Sequence, residues 1–522
     1  MDDLIQTEVL IIGSGIAGGV LALQLAEAGI PVTLVTRARE ASESNTYYAQ
    51  GGIIARGEHD SAALLAEDIL RAGAGHCKPA AVKILSEDGP RLVEEILMKK
   101  VGVQFDRQPD GRLSLGLEGG HSVPRILHAA DTTGRSIELA LIDALRANPK
   151  VTLLPGHTAI DLLTPSHHSL NRLTIYDQQS CVGAYLLEQA SGRVVRCLAK
   201  KTVLATGGLG QIFLRTTNPA GARGDGLAMA QRAGARIINA EFVQFHPTVF
   251  YRPPAPLFLI SEAVRGAGAR LVHANGEPFM QKYDAEWGDL APRDVVSRSI
   301  HHEMLAHDVT HVYLDLGNHI SRDEILTHFP NIYQDCLAHG VDITRELVPV
   351  VPAAHYSCGG VWVDDWGQTT IGNLYAIGEA ACTGLHGANR LASTSLLEGL
   401  VWGERAARQM SGLITDTPAP DPADIASWHD AGNDDPDPAL IAQDMSSIKH
   451  IMWNYVGLVR TTPRLARALN DLRELESEIE QFYDQTRITD GLIGLRNAVL
   501  AAIIVASAAW ENKTSVGCHY RE

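Results

Sequence analysis

An α/β fold carrying an α+β insertion and a helical C-terminal end is what this 522-residue chain predicts, and three observations predict it. A strand, a glycine turn and a helix open the chain. Two further strand-and-turn segments recur far downstream, and residues 440–522 place their apolar residues at helical spacing.

Residues Glu8 to Ile12 read as an apolar strand, Ala17 to Ala28 as a helix and Val32 to Val35 as a second strand, a βαβ unit that demands a parallel sheet. Thr202 to Gly210 and Leu374 to Gly378 repeat the strand-and-turn pattern, so the nucleotide-binding unit is assembled from separated pieces, residues 1–239 and 353–415. Residues 240–352 have few such turns but several Arg and His, and read as an inserted capping domain with substrate held at the seam. Asp416 to Ala439, rich in Pro, Asp and Ala, reads as a linker. Ser446 to Val456, Pro463 to Tyr483 and Leu492 to Trp510 then predict a C-terminal helical bundle over 440–522.

Length alone requires more than one core. A formal net charge of −17 disfavours nucleic acid and anionic lipid as partners, so any bound anion must be met by local Arg and His. The acidic, polar start from Met1 to Thr7 lacks the basic region of a secretory signal. Seven scattered cysteines without a C-x-x-C pair fit reduced thiols in a cytoplasmic protein. The apolar stretch Ala498 to Trp510 is too short to cross about 30 Å of hydrocarbon and predicts a buried helix, not a membrane span. His301-His302-Glu303-Met304-Leu305-Ala306-His307 imitates the zinc motif H-E-x-x-H, but its second His comes one residue late; His302 and His307 point about 140° apart on a helix, so no metal is expected there.

The turn Gly13-Ser14-Gly15-Ile16-Ala17-Gly18 lies between strand and helix, where glycines admit a pyrophosphate and the helix N-terminus stabilises it. The acidic residue that normally closes the second strand is missing: Val35 is followed by Thr36 and Arg37, which weakens the case for NAD. Next, Ser44-Asn45-Thr46-Tyr47-Tyr48-Ala49-Gln50-Gly51-Gly52 offers hydroxyls and backbone N–H groups to a planar ring. This segment resembles the flavin loop of the succinate dehydrogenase and fumarate reductase flavoprotein superfamily, many of whose respiratory members carry a histidine bonded covalently to FAD. Asn45 stands at that place, and an amide nitrogen is a poor nucleophile, so the resemblance implies FAD held without a covalent bond. Leu204-Ala205-Thr206-Gly207-Gly208, Thr217-Asn218-Pro219 through Gly224-Asp225-Gly226, and Ala376-Ile377-Gly378-Glu379-Ala380 extend the similarity along nearly the whole chain, which implies a Rossmann-like FAD-binding domain. The resemblance implies Glu379 at ribityl or ribose hydroxyls, Asp225 at another polar edge of FAD, and Ser395 with Leu396 at the pyrimidine end of the isoalloxazine. A helix opening there stabilises an anionic reduced flavin.

Two desolvated carboxylates need several fixed cationic or N–H donors. His246-Pro247-Thr248, Glu262 with Arg265, Pro292-Arg293-Asp294, His355-Tyr356 and Asn389-Arg390-Leu391 supply them, and their order is similar to the superfamily's dicarboxylate site. By that resemblance Arg390 and His355 hold one carboxylate, His246 and Thr248 the other, Arg293 takes the proton-relaying position, and Glu262 with Arg265 polarise the network. An arginine relays protons only where desolvation and neighbouring cations disfavour its charge.

Leu117-Glu118-Gly119-Gly120-His121-Ser122, followed by Arg125 and His128, looks like the signature of the L-aspartate oxidase family. A carboxylate at Glu118 suits an α-ammonium group that enters a site otherwise built of Arg and His. That family's reaction is implied: hydride passes from Cα of L-aspartate to flavin N5, giving iminoaspartate, and O2 (yielding H2O2) or fumarate reoxidises the flavin. Succinate is then a ligand only. The family feeds quinolinate synthase in de novo NAD synthesis. Ile451 to Gly457 and Val459 to Thr462 extend the likeness, but Ser515-Val516-Gly517-Cys518-His519 stands where the family usually reads Ser-Arg-Gly before a His, so no role for that Arg carries over. A fumarate reductase flavoprotein shares the Arg and His clusters but is disfavoured by Asn45 and Glu118. A flavin-binding protein without turnover has no use for Arg293 and His246.

Overall fold

The computed structural model describes residues 3–430, 432 and 434–522; the first two residues, and residues 431 and 433 of the expected linker, lie outside the described residues. The opening βαβ unit forms from Leu4–Ile12, Ile16–Glu27 and Val32–Thr36, whose strands are parallel. They belong to a seven-stranded sheet. Val151–Pro155 flanks Val32–Thr36, and Leu4–Ile12 pairs on its other side with the long strand Arg193–Leu204. That long strand does two jobs. Residues 193–198 pair antiparallel with Gly183–Glu188, itself paired to His157–Leu163, whereas 202–204 pair parallel with Leu374–Ala376 from far down the chain. The downstream glycine turns therefore join the first one at the same edge of one sheet.

Beneath this sheet the helix Thr394–Leu413 lies against Ile16–Glu27 at backbone distance. A Cβ on Gly403 would stand 2.8 Å from the Ala17 carbonyl oxygen, so only glycine allows the approach. The consequence is functional, because the N-termini of both helices come to one place.

Residues 240–352 contribute a separate antiparallel sheet in the order Val243–Phe250, Val348–Ser357, Val312–Asp315, Arg270–Val272. Phe250, Val264, Ile300, Leu314 and Val350 form its core. The boundary expected at 352 falls inside the strand Val348–Ser357, which runs from this sheet toward the cofactor domain. Three short strands, Ile53–Ile54, Leu115–Gly116 and Ile126–Leu127, make a further sheet that presents the loop after Gly116.

The chain ends in the helices Pro438–Val456, Thr462–Gln485 and Asp490–Glu511. Asp437, Thr461 and Thr489 cap them by accepting from the backbone N–H groups of Ala439, Arg464 and Leu492. Among the described residues, Asp490–Glu511 is the one helix long and apolar enough to cross a membrane, so the length argument made on Ala498 to Trp510 understates it. Two thirds of its apolar window is buried, with Leu495, Val499, Ala502 and Val505 in the core shared with the large sheet. The stretch before the bundle is not a loose tether: Ile425 is buried, and Trp428 packs edge-on against Tyr185.

Candidate active site

A single cleft of about 1770 Å³, its open mouth included, runs from the first glycine turn to the seam with the inserted sheet. Its lining joins the glycine turn and the loop from Ser44 to the His and Arg side chains of the seam, so a dinucleotide and a small substrate share one continuous wall.

At its inner end Gly13 has φ +116°, and a Cβ there would lie 2.1 Å from the Ala205 carbonyl oxygen. Gly15 then opens Ile16–Glu27 without a side-chain cap, and Ser14 is drawn aside to the Ala41 carbonyl (2.6 Å). Helix Thr394–Leu413 likewise starts uncapped after Ser393. Two bare helix N-termini thus face one cleft, a strong invitation to anionic groups. The loop from Ser44 is hung on the first of them by Thr46, whose Oγ1 accepts from the Ile16 N–H at 3.0 Å. Asn45 Nδ2 donates to Glu379 Oε2 at 2.8 Å, and Glu379 Oε1 accepts from the Ser357 N–H at 3.0 Å. Burial pushes the Glu379 carboxyl up to about 7.

Of the expected cofactor residues, Gly13 to Ala17, Arg37, Ser44 to Thr46, Tyr48 to Gly52, Thr206, Gly207, Asp225, Glu379, Ser395 and Leu396 line this cleft. Gly18 lies behind, where a Cβ would strike the Gly13 carbonyl oxygen at 2.0 Å. Tyr47 departs from expectation: it is not on the wall, and its ring packs against Tyr48 and under Arg135. Arg37 is committed to Asp490 at 3.2 Å, and Asp225 to Arg223 and Asn497, each at 2.9 Å. Asp490 and Asn497 belong to the last helix, so the C-terminal bundle braces the cofactor end of the cleft. That contribution escaped the sequence reading because it joins residues about 270 apart or more.

Three wall atoms test the fit to FAD. Asn45 Oδ1, Gln50 Oε1 and Thr206 Oγ1 are buried and have no partner within the protein. Buried polar atoms without partners are costly, and a ligand rich in hydroxyl and imide groups removes that cost. With two uncapped helix ends and no histidine among residues 44–52, the wall fits FAD held without a covalent bond.

At the seam, His246 and His355 come from neighbouring strands of the inserted sheet, with ring centroids 5.1 Å apart. Burial, reinforced by Arg293, holds both well below the usual histidine range, so both are neutral. Thr248 is not on the wall, contrary to its expected place beside a carboxylate. Its hydroxyl donates to the Ile260 carbonyl (2.9 Å), while its backbone N–H donates to His246 Nδ1 (3.2 Å). The His246 proton therefore sits on Nε2.

Arg293 opens the helix Arg293–Ala306 and is gripped twice, by Glu262 Oε2 on Nε (2.6 Å) and by Gln244 Oε1 on Nη1 (3.1 Å). Held in this way, Arg293 lines the cleft. Burial alone raises the Glu262 carboxyl, but Arg293 and Arg265 outweigh it and keep Glu262 anionic. Arg265 stands behind Glu262 at 3.4 Å and does not reach the cleft. Arg390 donates to Ser395 Oγ (3.0 Å) and lies over the Tyr356 ring, 4.5 Å from its centroid. Burial, then Arg293, push its guanidinium down to about 10.

Glu118 closes the wall. It is 3% exposed, and its Oε2 accepts from Ser393 Oγ at 2.5 Å. Its loop is pinned from below: Asp68 Oδ2 accepts from the Ser122 N–H (2.9 Å) and pairs with the fully buried Arg125 (3.0 Å). Gln244 and Ser393 were missed by the sequence reading. Gln244 shares a strand face with His246 two residues on, a period-two signal that was available.

The fold and the cleft define a flavoprotein of the succinate dehydrogenase and fumarate reductase superfamily. Residues 8–396 match the family model described as FAD binding domain, and 445–522 the one described as fumarate reductase flavoprotein C-term. L-aspartate oxidase 1 of Ralstonia nicotianae is 45% identical over 98% of this chain and 94% of that protein. A chloroplastic L-aspartate oxidase of Arabidopsis thaliana is 43% identical over 98% of this chain and 80% of its own length. Among solved structures, a quinol-fumarate reductase with menaquinol molecules superposes with a TM-score of 0.89 at 28% identity, covering 99% of this chain and 92% of that one. The chain belongs to the L-aspartate oxidase family.

The tail is docked by its backbone. Cys518 N–H donates to the Ala388 carbonyl (2.9 Å), Arg298 holds the Gly517 carbonyl (2.9 Å), and the buried Arg460 meets His519 Nδ1 at 2.6 Å.

Proposed function

We propose that this chain oxidises L-aspartate to iminoaspartate with non-covalent FAD, and that electrons leave to O2, giving H2O2, or to fumarate. One observation carries the substrate: a buried carboxylate, Glu118, in a wall that otherwise offers Arg293, Arg390 and two neutral imidazoles. Two substrate carboxylates answer the arginines, and the α-ammonium answers Glu118. FAD, when bound, accepts the hydride and passes the electrons on.

The chain's own residues do the rest. Arg390, steadied by Ser395 and Tyr356, holds one carboxylate with His355, while His246 presents Nε2–H to the other. Glu262 and Gln244 fix Arg293 in the wall beside the substrate. Thr248 and Arg265 act from behind, as supports of His246 and Glu262. A second pocket, lined by Arg71 and Trp287, shares Arg293 and Arg390 with the cleft and is the proton route that this reading assigns.

Iminoaspartate hydrolyses readily, so prompt consumption is an advantage; this reading places the chain at the first step of the quinolinate branch of NAD synthesis, with quinolinate synthase as functional partner. Succinate binds as an unreactive ligand. The acidic surface argues against nucleic acid and membrane partners, and unpaired cysteines favour a cytoplasmic setting. Domain limits at 239, 352 and 415 remain part of this reading. The test is aerobic: L-aspartate added to the yellow protein is expected to bleach it and then yield H2O2, while succinate does neither. Bleaching by succinate but not by L-aspartate would refute it.

A further inference from the structure

The imitation zinc motif on Arg293–Ala306 has a second use. His302 is diverted to the Tyr283 hydroxyl (Nδ1 to O, 2.6 Å), so the pair His302 and His307 holds nothing together. Glu303 and His307 do share a helix face at i and i+4, and the fold brings His273 to them from just beyond the strand Arg270–Val272. Glu303 Oε2 lies 3.0 Å from His273 Nε2 and 3.3 Å from His307 Nε2, and all three ligand atoms are within 4.8 Å of one another. Ligands on a tetrahedral Zn²⁺ with bonds of 2.0–2.1 Å stand about 3.3 Å apart.

Hydrogen bonding does not account for this cluster. Glu303 is 1% exposed, and its Oε2 makes no hydrogen bond although two imidazole nitrogens stand within 3.3 Å of it. The other oxygen, Oε1, is occupied by Lys282 Nζ (2.6 Å) and the Tyr283 hydroxyl, which turn Oε2 toward the histidines. Lys282 is 54% exposed and can withdraw into solvent when a cation arrives.

We propose that His273, Glu303 and His307 form a binding site for a divalent transition-metal ion of the zinc type, completed by water on the exposed side of His307. The ion ties the edge strand of the inserted sheet to the end of the helix that carries Arg293. Glu303 lies ten residues along that helix, about 15 Å from Arg293 at 1.5 Å per residue, so the site is structural and separate from the cleft.

The FAD-loaded protein, stripped with EDTA and dialysed against Zn²⁺, is expected to retain one zinc per chain and to melt at a higher temperature. His273→Gln and His307→Gln each should bind Zn²⁺ at least tenfold more weakly and lose the rise in Tm, with FAD content and flavin bleaching by L-aspartate unchanged. His302→Gln should behave as the unmodified chain. Absence of zinc from the unmodified protein, or equal retention by the His273→Gln/His307→Gln double variant, overturns the proposal. So does equal loss in His302→Gln, which would mean nonspecific histidine binding.

Discussion

Replacing Glu118 by glutamine separates recognition of the substrate's ammonium from everything else the cleft does. The carboxylate is 3% exposed and held by Ser393, so its charge acts in a partly desolvated site. Two unit charges 4 Å apart at an effective dielectric of about 20 attract by about 4 kcal/mol. Glutamine keeps the carbonyl dipole and the Ser393 partner and recovers roughly 1 kcal/mol of this. The remaining loss of about 3 kcal/mol corresponds to about a hundredfold in kcat/KM for L-aspartate. Fumarate and succinate carry no ammonium, so fumarate reduction by the reduced enzyme should survive within a few-fold, and succinate should bind at least as tightly. Stopped-flow bleaching by L-aspartate, fumarate-dependent reoxidation and FAD content, measured on one preparation, decide the matter. Equal loss of both half-reactions with FAD intact would refute the ammonium role and leave Glu118 as a support for Ser393 and the flavin loop.

Gln244→Leu removes the second grip on Arg293 and takes the Gln244 amide from the buried Arg390 carbonyl, at about 1–3 kcal/mol, so kcat/KM should fall at least tenfold while FAD is retained; an unchanged value would show that Glu262 alone positions Arg293. His519 is pushed down to about 4 by burial and then by Arg460, whereas the unfolded chain titrates near 6.5. Below pH 6.5 the unfolded state therefore takes up a proton that the folded ring refuses, and roughly 3 kcal/mol of stability is lost as the pH falls from 6.5 through 4. Urea midpoints at pH 7 and pH 5 should differ less in His519→Gln than in the unmodified chain. Gly13→Ala sets a Cβ 2.1 Å from the Ala205 carbonyl at a positive φ and should abolish FAD retention on gel filtration; a yellow Gly13→Ala protein would contradict the turn geometry.

The cofactor end of the cleft was legible in the sequence because its signals are local. A strand, a turn that only glycine can take and a helix start follow one another within Glu8 to Ala28, and backbone sterics impose their geometry wherever they occur. Asn45 likewise declared the absence of a covalent flavin bond by its chemistry alone, and the charged and imidazole side chains of the seam were named by type and order. Which of them face the substrate was not a local matter. Thr248 and Arg265 carry the right chemistry but stand one layer back, and Tyr47 turns to Arg135, because strand register and helix packing decide where a side chain points. Contacts between distant segments decided the remainder: Gln244 on Arg293, Ser393 on Glu118, Asp490 and Asn497 on the cofactor end, and His273 beside Glu303. Residue identity determines what a group can do, and the tertiary structure, by burying it and choosing its neighbours, decides whether it does so.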